Sequence, residues 1–333
     1  MDVYSEVLKL LSQYPDGVPQ SLLYRVLPFS KPYISIVLRR LEKQGIIYRT
    51  RIGNTYIVKP VKPVQRSFES RVLSLGIVWS SEYLFLGHFV KRLRDDAQLE
   101  LEVKVYPSAV KATMALLIGD VDVVLSPLIT QVYAYALSKG LRIVGGGAGG
   151  GSAIYEINGG VEGVATSSEM STMDLCRALA VKKGIIQAEH VTYFSSPEEA
   201  VKILKMKRAR YAIVWHPLQH EVEKLGGKTI EECESFEETK HCCTLAVATS
   251  LPIDIVDRIA KIYRSSIEEF KKSKQRFLEW YSTLTGIDTA TLKKALELYH
   301  YEENIDLKSI EKLLNFINLQ VPHIKTLHSA IYK

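Results

Sequence analysis

The 333-residue sequence has few cysteines and no long apolar run. Its four cysteines, Cys176, Cys233, Cys242 and Cys243, are irregularly spaced, so a framework of disulfide bonds is not expected. No stretch approaches the roughly 20 consecutive apolar residues that a membrane-spanning helix needs. The first six residues lack the basic start and apolar core of a secretory signal. These absences predict a cytoplasmic protein that does not bind membranes.

A cysteine- and histidine-containing segment raises the question of a metal site. Cys233, His241, Cys242 and Cys243 fall within eleven residues. The spacing is not that of a C-x-x-C pair, and adjacent cysteines seldom both bind one zinc ion in good geometry. Two buried thiols on a strand are the preferred interpretation. No metal and no other cofactor is predicted, although metal binding by these four residues is left open.

The excess of positive charge is confined to the N-terminal end of the chain. Residues 1–66 carry 11 Lys and Arg against 4 Asp and Glu, whereas the remaining residues carry 32 against 33. The net charges of these two parts are therefore +7 and −1. This division indicates a small polyanion-binding domain attached to a larger domain with another task.

Apolar periodicity predicts three helices in the basic domain, which spans residues 1–60. They cover residues 3–13, about 20–26, and a segment that starts at the N-cap Ser30. Two β-rich runs follow, and the Gly-Asn pair between them suits a tight hairpin. Three helices followed by a basic hairpin is the order of a winged helix-turn-helix domain.

The stretch from Ser30 to Ile47, SKPYISIVLRRLEKQGII, resembles the recognition helix and first wing strand of MarR- and ArsR-like regulators. The resemblance implies that the helix lies in the major groove of duplex DNA while the wing contacts phosphates or the minor groove. The implied DNA-binding residues are Ser30, Lys31, Tyr33, Ser35, Ile36, Arg39 and Arg40 on the helix, and Arg49, Arg51 and Asn54 on the wing. The alternative is a domain that contacts protein, with these charges on a solvated helix face.

Residues 61–69 are predicted to form a linker, and residues 70–333 a separate α/β domain. Residues 59–66 contain two prolines and three basic residues and lack apolar periodicity, which suits a short, stiff, exposed linker. In the larger domain strands alternate with helices, which predicts a mainly parallel, doubly wound sheet. The pattern occurs twice and indicates two lobes. Lobe 1 is predicted at about 70–157 and 250–333, and lobe 2 at about 158–249.

Three stretches of the larger domain resemble the type II periplasmic-binding-protein fold. Val110 to Val123 is similar to its "helix, G-[DE]-[VI]-D" step, and TGID at Thr285 to Asp288 is similar to its C-terminal region. AIVWHP, ending at Pro217, is similar to the VWEP step of nitrate/sulfonate/taurine solute-binding proteins, although His216 stands where that subgroup usually has a carboxylate. The resemblance covers roughly residues 70–330 and implies a ligand cleft between two lobes.

Ligands of open α/β sheets bind beyond the carboxyl ends of the strands, where helices begin. Hydroxyls and free N–H groups at these helix starts favour an anion, and aromatic rings are placed to cover an apolar or aromatic part. A Ser-Ser pair before a helix is alternatively only an N-cap. The glycine run before Ser152 indicates backbone close to a ligand or a flexible segment between lobes. The predicted ligand-binding residues are Trp79, Ser80, Ser81, Tyr83, Ser126, Gly146, Gly147, Ser167, Ser168, Trp215 and His216.

The combination predicts a cytoplasmic transcriptional regulator. The winged helix would bind operator DNA, the two-lobed domain would bind a small anionic or heteroaromatic effector, and a homodimer would match two half-sites. No catalytic residues are predicted, because no nucleophile–base pair or acid–base dyad is evident. The alternatives are an enzyme on the same fold, similar to menaquinone-pathway enzymes or thiamine-pyrimidine synthases, and a solute-binding or adaptor protein without DNA affinity.

Overall fold

The computed structural model of the chain describes residues 3–12, 14, 17–43, 46–52, 55–60 and 72–317. Its internal contacts divide the chain into two units, Met1–Glu69 and Ser70–Lys333. The predicted linker at 61–69 and the predicted wing residue Asn54 lie outside the described residues. No helix in the described part of the chain is both long and apolar enough to span a bilayer.

The described part of unit 1 contains three helices and a small antiparallel sheet. Its elements are α1 Val3–Ser12, β1 Val18–Pro19, α2 Gln20–Val26, α3 Lys31–Lys43, β2 Ile47–Ile52 and β3 Thr55–Pro60, with strand order β1-β3-β2. Helix α3 begins one residue after Ser30, whose carbonyl accepts a hydrogen bond from the Ile34 amide. Ile34, Val37, Leu38 and Leu41 are buried, which confirms the predicted core face of this helix.

Unit 2 is a mixed α/β structure built on two sheets. The lobe 1 sheet has the order β14-β7-β13-β6-β4-β5, and the lobe 2 sheet has the order β10-β9-β11-β8-β12. The strands are β4 Val72–Val78, β5 Glu100–Tyr106, β6 Val123–Pro127, β7 Leu141–Gly150, β8 Ser152–Glu156, β9 Val164–Ser168, β10 His190–Phe194, β11 Tyr211–Trp215, β12 Lys228–Glu232, β13 Cys243–Ala248 and β14 Tyr299–Glu302. The α-helices are α4 Leu86–Ala97, α5 Ala109–Leu117, α6 Leu128–Ser138, α7 Thr172–Lys182, α8 Pro197–Lys205, α9 Gln219–Lys224, α10 Ile253–Lys272, α11 Leu278–Thr285, α12 Thr289–Ala295 and α13 Leu307–Ile317.

Both sheets are mixed rather than mainly parallel. Strand β4 is parallel to β5 and β6, and β9 is parallel to β10 and β11. By contrast, β13 is antiparallel to β6 and β7, and β8 is antiparallel to β11 and β12. Strands β8 and β13 are the first strands after the two crossings between the lobes, and β14 is also antiparallel to β7.

The chain crosses between the lobes earlier than predicted at both points. It leaves the lobe 1 sheet at Gly150 and enters the lobe 2 sheet at Ser152, and it returns between Glu232 and Cys243. Gly150 and Gly151 both have positive φ angles, 87° and 65°, which favour glycine. The predicted crossings after residues 157 and 249 are therefore displaced by several residues.

The glycine run forms a buried strand and not a flexible segment. A Cβ atom on Gly147 would lie 1.8 Å from the Cys243 carbonyl oxygen, and one on Gly146 would lie 2.3 Å from the Glu302 carbonyl oxygen. Glycine is needed here because β7 packs tightly between β13 and β14. The close backbone approach is thus to neighbouring protein strands, and the flexible-segment interpretation is wrong.

A disulfide bond joins Cys176 in α7 to Cys233, which follows β12. The two residues are 57 positions apart in the chain and have a Cα–Cα distance of 5.6 Å. Both are fully buried in lobe 2. No framework of disulfide bonds was expected from the sequence, and this single bond, which anchors the start of the return crossing to lobe 2, was not predicted.

Candidate ligand site between the lobes

A small cavity of about 30 Å³ lies between the two lobes of unit 2. Its lining residues are all buried. Lobe 1 and the return crossing provide Val78, Ser80, Glu82, Tyr83, Ala109, Pro127, Gly150, Cys242, Cys243 and Tyr299, and lobe 2 provides Ser152, Ser168, Ser171, Met173 and Trp215. A volume of this size holds about two water molecules, so a bulky organic solute does not fit the closed form.

Four of the predicted ligand-binding residues line this cavity: Ser80, Tyr83, Ser168 and Trp215. Ser80 and Tyr83 follow β4, Ser168 ends β9, and Trp215 ends β11. All four therefore lie at the carboxyl ends of parallel strands, as predicted. The predicted positions therefore meet in one cavity. That these side chains bind a ligand stays a prediction.

Two of the other predicted residues connect the lobes instead of lining the cavity. Ser81 Oγ lies 2.5 Å from His216 Nδ1 and donates a 3.0 Å hydrogen bond to the His216 carbonyl oxygen. The Tyr299 hydroxyl lies 3.2 Å from the same Ser81 oxygen. Burial lowers the pKa of His216 to about 4, so its ring is neutral near pH 7. The histidine that departs from the family pattern thus forms an interlobe contact.

A pair of tryptophans forms a second connection. Trp215 Nε1 donates a 3.1 Å hydrogen bond to the Trp79 carbonyl oxygen, which joins lobe 2 to lobe 1. Trp79 Nε1 donates a 2.9 Å hydrogen bond to the Thr285 carbonyl oxygen within lobe 1. Trp79 itself lines a separate, larger recess together with Pro217 and Gly286. The structure is therefore a closed arrangement of the two lobes.

The remaining predicted residues do not reach the cavity. Ser126 Oγ accepts hydrogen bonds from the Thr113 hydroxyl at 2.8 Å and from Gln131 Nε2 at 3.1 Å. Ser167 Oγ donates a 3.4 Å hydrogen bond to Asp174. Gly146 and Gly147 pair with neighbouring strands, as described above. A ligand-binding role for these four residues is not supported, because local hydrogen bonds or strand pairing occupy them.

The cavity contains a cluster that the sequence-based prediction missed, formed by Glu82, Cys242 and Cys243. One carboxylate oxygen of Glu82 and the two Sγ atoms all lie within 4.8 Å of one another. The Sγ atoms are 4.0 Å apart, and the Tyr83 hydroxyl donates a 3.1 Å hydrogen bond to Cys243 Sγ. The adjacent cysteines were visible in the sequence, but nothing there placed Glu82 beside them.

Burial dominates the electrostatics of this cluster. It raises the pKa of the Glu82 carboxyl and of the Cys243 thiol well above their ordinary values. The hydrogen bond from the Cys243 thiol lowers the pKa of Cys242. Oε1 of Glu82 has no hydrogen-bond partner. The site therefore contains a buried carboxyl group whose polar atom is not satisfied by the protein.

Cys233, His241, Cys242 and Cys243, the four residues considered from the sequence, do not come together as one metal site. Cys233 is in the disulfide with Cys176. His241 Nε2 accepts a 2.9 Å hydrogen bond from the Asp306 amide and lies 3.7 Å from a Glu302 carboxylate oxygen. Only the two adjacent cysteines of that segment enter the cavity.

In unit 1, most of the predicted helix residues are exposed on α3. Ser30, Lys31, Tyr33, Ile36, Arg39 and Arg40 are exposed. The Ser35 hydroxyl is 2.8 Å from the Tyr24 hydroxyl, and Arg49 forms an ion pair with Glu42. Arg51 lies in β2, and its side chain, like Asn54, is outside the described residues.

Comparison with curated proteins gives only short matches. The sequence is 37% identical over 59 residues to the uncharacterized protein PH0614 of Pyrococcus horikoshii, and 33% identical over 60 residues to the uncharacterized protein PYRAB14350 of Pyrococcus abyssi. Each match covers 18% of this chain, and the chain spans only 18% of the length of each relative. No protein-family model matches the sequence.

Several solved structures are similar to most of the chain. The alkanesulfonate-binding protein SsuA of Xanthomonas axonopodis pv. citri, bound to MOPS, has a TM-score of 0.62 at 11% identity over 79% of this chain and 98% of its own. The ligand-binding component of an ABC-type import system of Staphylococcus aureus, with zinc bound, has a TM-score of 0.59 at 18% identity over 74% and 91%. The nitrate-binding protein NrtA of Synechocystis PCC 6803 has a TM-score of 0.52 at 14% identity over 67% and 69%. The chain has the two-lobed fold of type II periplasmic binding proteins.

These similar structures correct the predicted function. They are an alkanesulfonate-binding protein, a nitrate-binding protein and the ligand-binding component of an import system with zinc bound, and they give no support to DNA binding or transcriptional regulation. The prediction of a ligand-responsive transcriptional regulator is therefore wrong. The alternative of a solute-binding protein fits the type II periplasmic-binding-protein fold better.

Proposed function

We propose that unit 2 is a solute-binding domain that holds a small ligand in the cavity between its lobes. The observation that carries this proposal is the cavity itself, whose walls come from the strand ends of both sheets. Ligands of open α/β sheets bind at such strand ends. The likeness in fold to solute-binding proteins supports the same conclusion.

Opening of the lobes accompanies ligand entry in this proposal. The interlobe hydrogen bonds of Trp215 and His216 hold the lobes closed, and the closed cavity measures only about 30 Å³. The two crossings, at Gly150–Gly151 and at residues 233–242, are the connections about which the lobes would rotate. A ligand that contacts both lobes stabilises the closed form by mass action.

A thermal-shift screen tests this proposal. Alkanesulfonates, nitrate and divalent metal salts are added separately to the full-length chain, and a true ligand at about 100 times its Kd stabilises the fold by about 2.7 kcal/mol. Ser152→Val introduces an alkyl side chain into the cavity and should abolish that shift. Thr229→Val, on the exposed side of the neighbouring strand β12, is the control and should retain it. A ligand shift that survives in Ser152→Val would contradict a cavity site.

For unit 1 we propose a winged-helix architecture, supported by the order α1-β1-α2-α3-β2-β3 and the strand order β1-β3-β2. No DNA-binding role is proposed for it, and a homodimer has no support from the similar structures. A non-enzymatic role and a cytoplasmic location remain predictions.

A further inference from the structure

The cavity between the lobes offers no positively charged side chain to an anion. None of its lining residues is Lys, Arg or His, whereas Glu82, Cys242 and Cys243 all contribute acidic groups to it. A sulfonate or nitrate here would be desolvated beside a carboxyl group without a compensating cation, which is costly. A metal cation that displaces their protons would bind to the same carboxyl and thiol groups.

Glu82 is held so that its carboxyl group faces the two thiols. Its amide donates a 3.1 Å hydrogen bond to Ser80 Oγ, and its carbonyl oxygen accepts a 3.0 Å hydrogen bond from the Tyr301 hydroxyl. The backbone on both sides of the side chain is thus fixed. Yet Oε1 is buried without a hydrogen-bond partner, although buried polar atoms are normally satisfied. A bound cation would satisfy it.

The two cysteines are fixed with equal firmness by the lobe 1 sheet. The Cys242 amide donates to the Ala148 carbonyl oxygen at 3.1 Å, and the Cys242 carbonyl oxygen accepts from the Leu128 amide at 2.9 Å. Cys243 is in register with Pro127 of β6 and Ala148 of β7. Two thiolates bound to one tetrahedral Zn²⁺ at about 2.3 Å are separated by roughly 3.8 Å. The observed Sγ–Sγ distance of 4.0 Å is close to that value, so the adjacent cysteines here are not an obstacle to shared coordination.

We propose that Glu82, Cys242 and Cys243 form a binding site for a thiophilic metal cation, with Zn²⁺ as the representative ion. Two sulfur donors and one carboxylate are a ligand set that suits zinc and other borderline or soft cations. The cavity of about 30 Å³ leaves room for the ion and a water molecule as fourth ligand. This inference rests on the proposed solute-binding function and names the ligand class of the same cavity.

Spectroscopy of the Co²⁺-loaded, full-length chain tests the site. Cys176 and Cys233 form the disulfide, so Cys242 and Cys243 are the free thiols. A thiolate-to-cobalt charge-transfer absorption therefore reports on this pair alone, and Zn²⁺ should displace the Co²⁺ at one equivalent per chain. Competition with a chelator of known affinity then gives the Kd for Zn²⁺.

Three variants and one control distinguish coordination from general damage. Cys242→Ser, Cys243→Ser and Glu82→Gln should each weaken Zn²⁺ binding by at least the roughly 10–100-fold that loss of a supporting outer-shell partner costs. Ser250→Ala removes an exposed hydroxyl that follows β13 and does not line the cavity, and it should leave the Kd within about threefold. Circular dichroism establishes that each variant is folded, and Glu82→Gln keeps the side-chain shape if a cysteine variant does not fold.

Absence of charge-transfer absorption in folded wild-type protein that keeps the Cys176–Cys233 disulfide and has free thiols at Cys242 and Cys243 would overturn the metal site, as would Zn²⁺ binding that persists unchanged in Cys243→Ser. An organic solute that stabilises the wild type without any Zn²⁺ binding would overturn the metal inference and leave the solute-binding function standing. If neither metal nor organic solute binds, both proposals fail.

Discussion

The two lobes of unit 2 use the same sequence feature differently. In each lobe a Ser-Ser pair stands at the end of a parallel strand, Ser80–Ser81 after β4 and Ser167–Ser168 at the end of β9. One serine of each pair lines the cavity and the other is occupied elsewhere. In lobe 1, however, the pair is followed by the buried Glu82, which faces two thiols, whereas lobe 2 contributes hydroxyls, Met173 and Trp215.

This difference indicates that lobe 1 recognises the ligand and that lobe 2 closes over it. The carboxyl and thiol groups of the proposed metal site come from lobe 1 and the end of the return crossing, and lobe 2 covers them. A ligand would therefore bind first to lobe 1 in the open form, and closure of lobe 2 would exclude water from it. Changes in lobe 1 should accordingly alter the binding site itself, while changes in lobe 2 should alter stability or closure.

The largest expected effect comes from the lobe 1 sheet behind the cavity. Gly147→Ala should destabilise the protein by at least about 4 kcal/mol, since the added Cβ would lie 1.8 Å from the Cys243 carbonyl oxygen and would separate β7 from β13. Gly184→Ala in lobe 2 is the matched control. A Cβ atom at Gly184 would meet nothing within 4 Å. The loss of stability should therefore be only about 1 kcal/mol, the cost of placing alanine at a φ of +70°. Denaturant unfolding measures both, and equal losses would contradict the packing argument.

Removal of the lobe 2 disulfide should have the next largest effect. The Cys176→Ser/Cys233→Ser variant should lose about 3 kcal/mol, because the bond closes a long loop whose entropy is restored in the unfolded chain. Hydrogen exchange should rise in α7 and β12 and remain unchanged in β4 and β6. The thiolate-to-cobalt charge-transfer absorption should persist, because it comes from Cys242 and Cys243, which this variant retains. Loss of that absorption would show that the cysteine pairs had been assigned wrongly.

Local patterns predicted the parts of this molecule that depend on neighbouring residues. The buried face of α3 follows from helical spacing, and the positions of Ser80 and Trp215 follow from the rule that strand ends meet at one sheet edge. The two-lobed fold was predicted from three short stretches in the right order. Each of these inferences uses information within one strand–helix step.

Contacts between distant residues could not be predicted in this way. Cys242 and Cys243 meet a carboxyl group 160 residues earlier in the chain, and Cys176 pairs with a cysteine 57 residues away. The sheet order that brings β13 between β6 and β7 creates both the thiol position and the need for glycine at Gly147. Spacing in the sequence contains neither the strand order nor the burial of Glu82.

The functional prediction was wrong for a different reason. The charge of residues 1–66 describes how that segment attracts polyanions, and it does not determine the task of the larger domain. A fold resemblance likewise does not identify function, which depends on the site. The cavity, with its carboxyl and thiol groups, is where the function of unit 2 has to be argued.

Acid should weaken the contact between the lobes through His216. Its pKa of about 4 in the folded protein lies below the ordinary value of 6.5, so the unfolded chain takes up a proton first as the pH falls. Stability from this group is therefore complete above about pH 6.5, declines between 6.5 and 4, and falls no further below 4. Allowing for solvent screening, we expect a loss of about 2 kcal/mol.

Burial also lowers the pKa of His88, so His88 contributes to the acid sensitivity of both proteins. The difference between the wild type and His216→Asn therefore isolates the contribution of His216. Urea unfolding from pH 7 to pH 4 should be less steeply pH-dependent in the variant. Parallel pH profiles for the two proteins would show that His216 does not titrate differently in the folded state.

The smallest expected effect separates lobe closure from stability within one lobe. Trp215→Phe removes the hydrogen bond to the Trp79 carbonyl oxygen across the lobes, and Trp79→Phe removes the bond to the Thr285 carbonyl oxygen inside lobe 1. Each variant should lose about 1 kcal/mol, the usual contribution of one hydrogen bond. Only Trp215→Phe should shift the closed–open equilibrium, by about fivefold toward the open form. Distances between spin labels on α8 and α5 measure this population in the ligand-free protein, and equal opening in both variants would mean that the Trp215–Trp79 bond does not hold the lobes together.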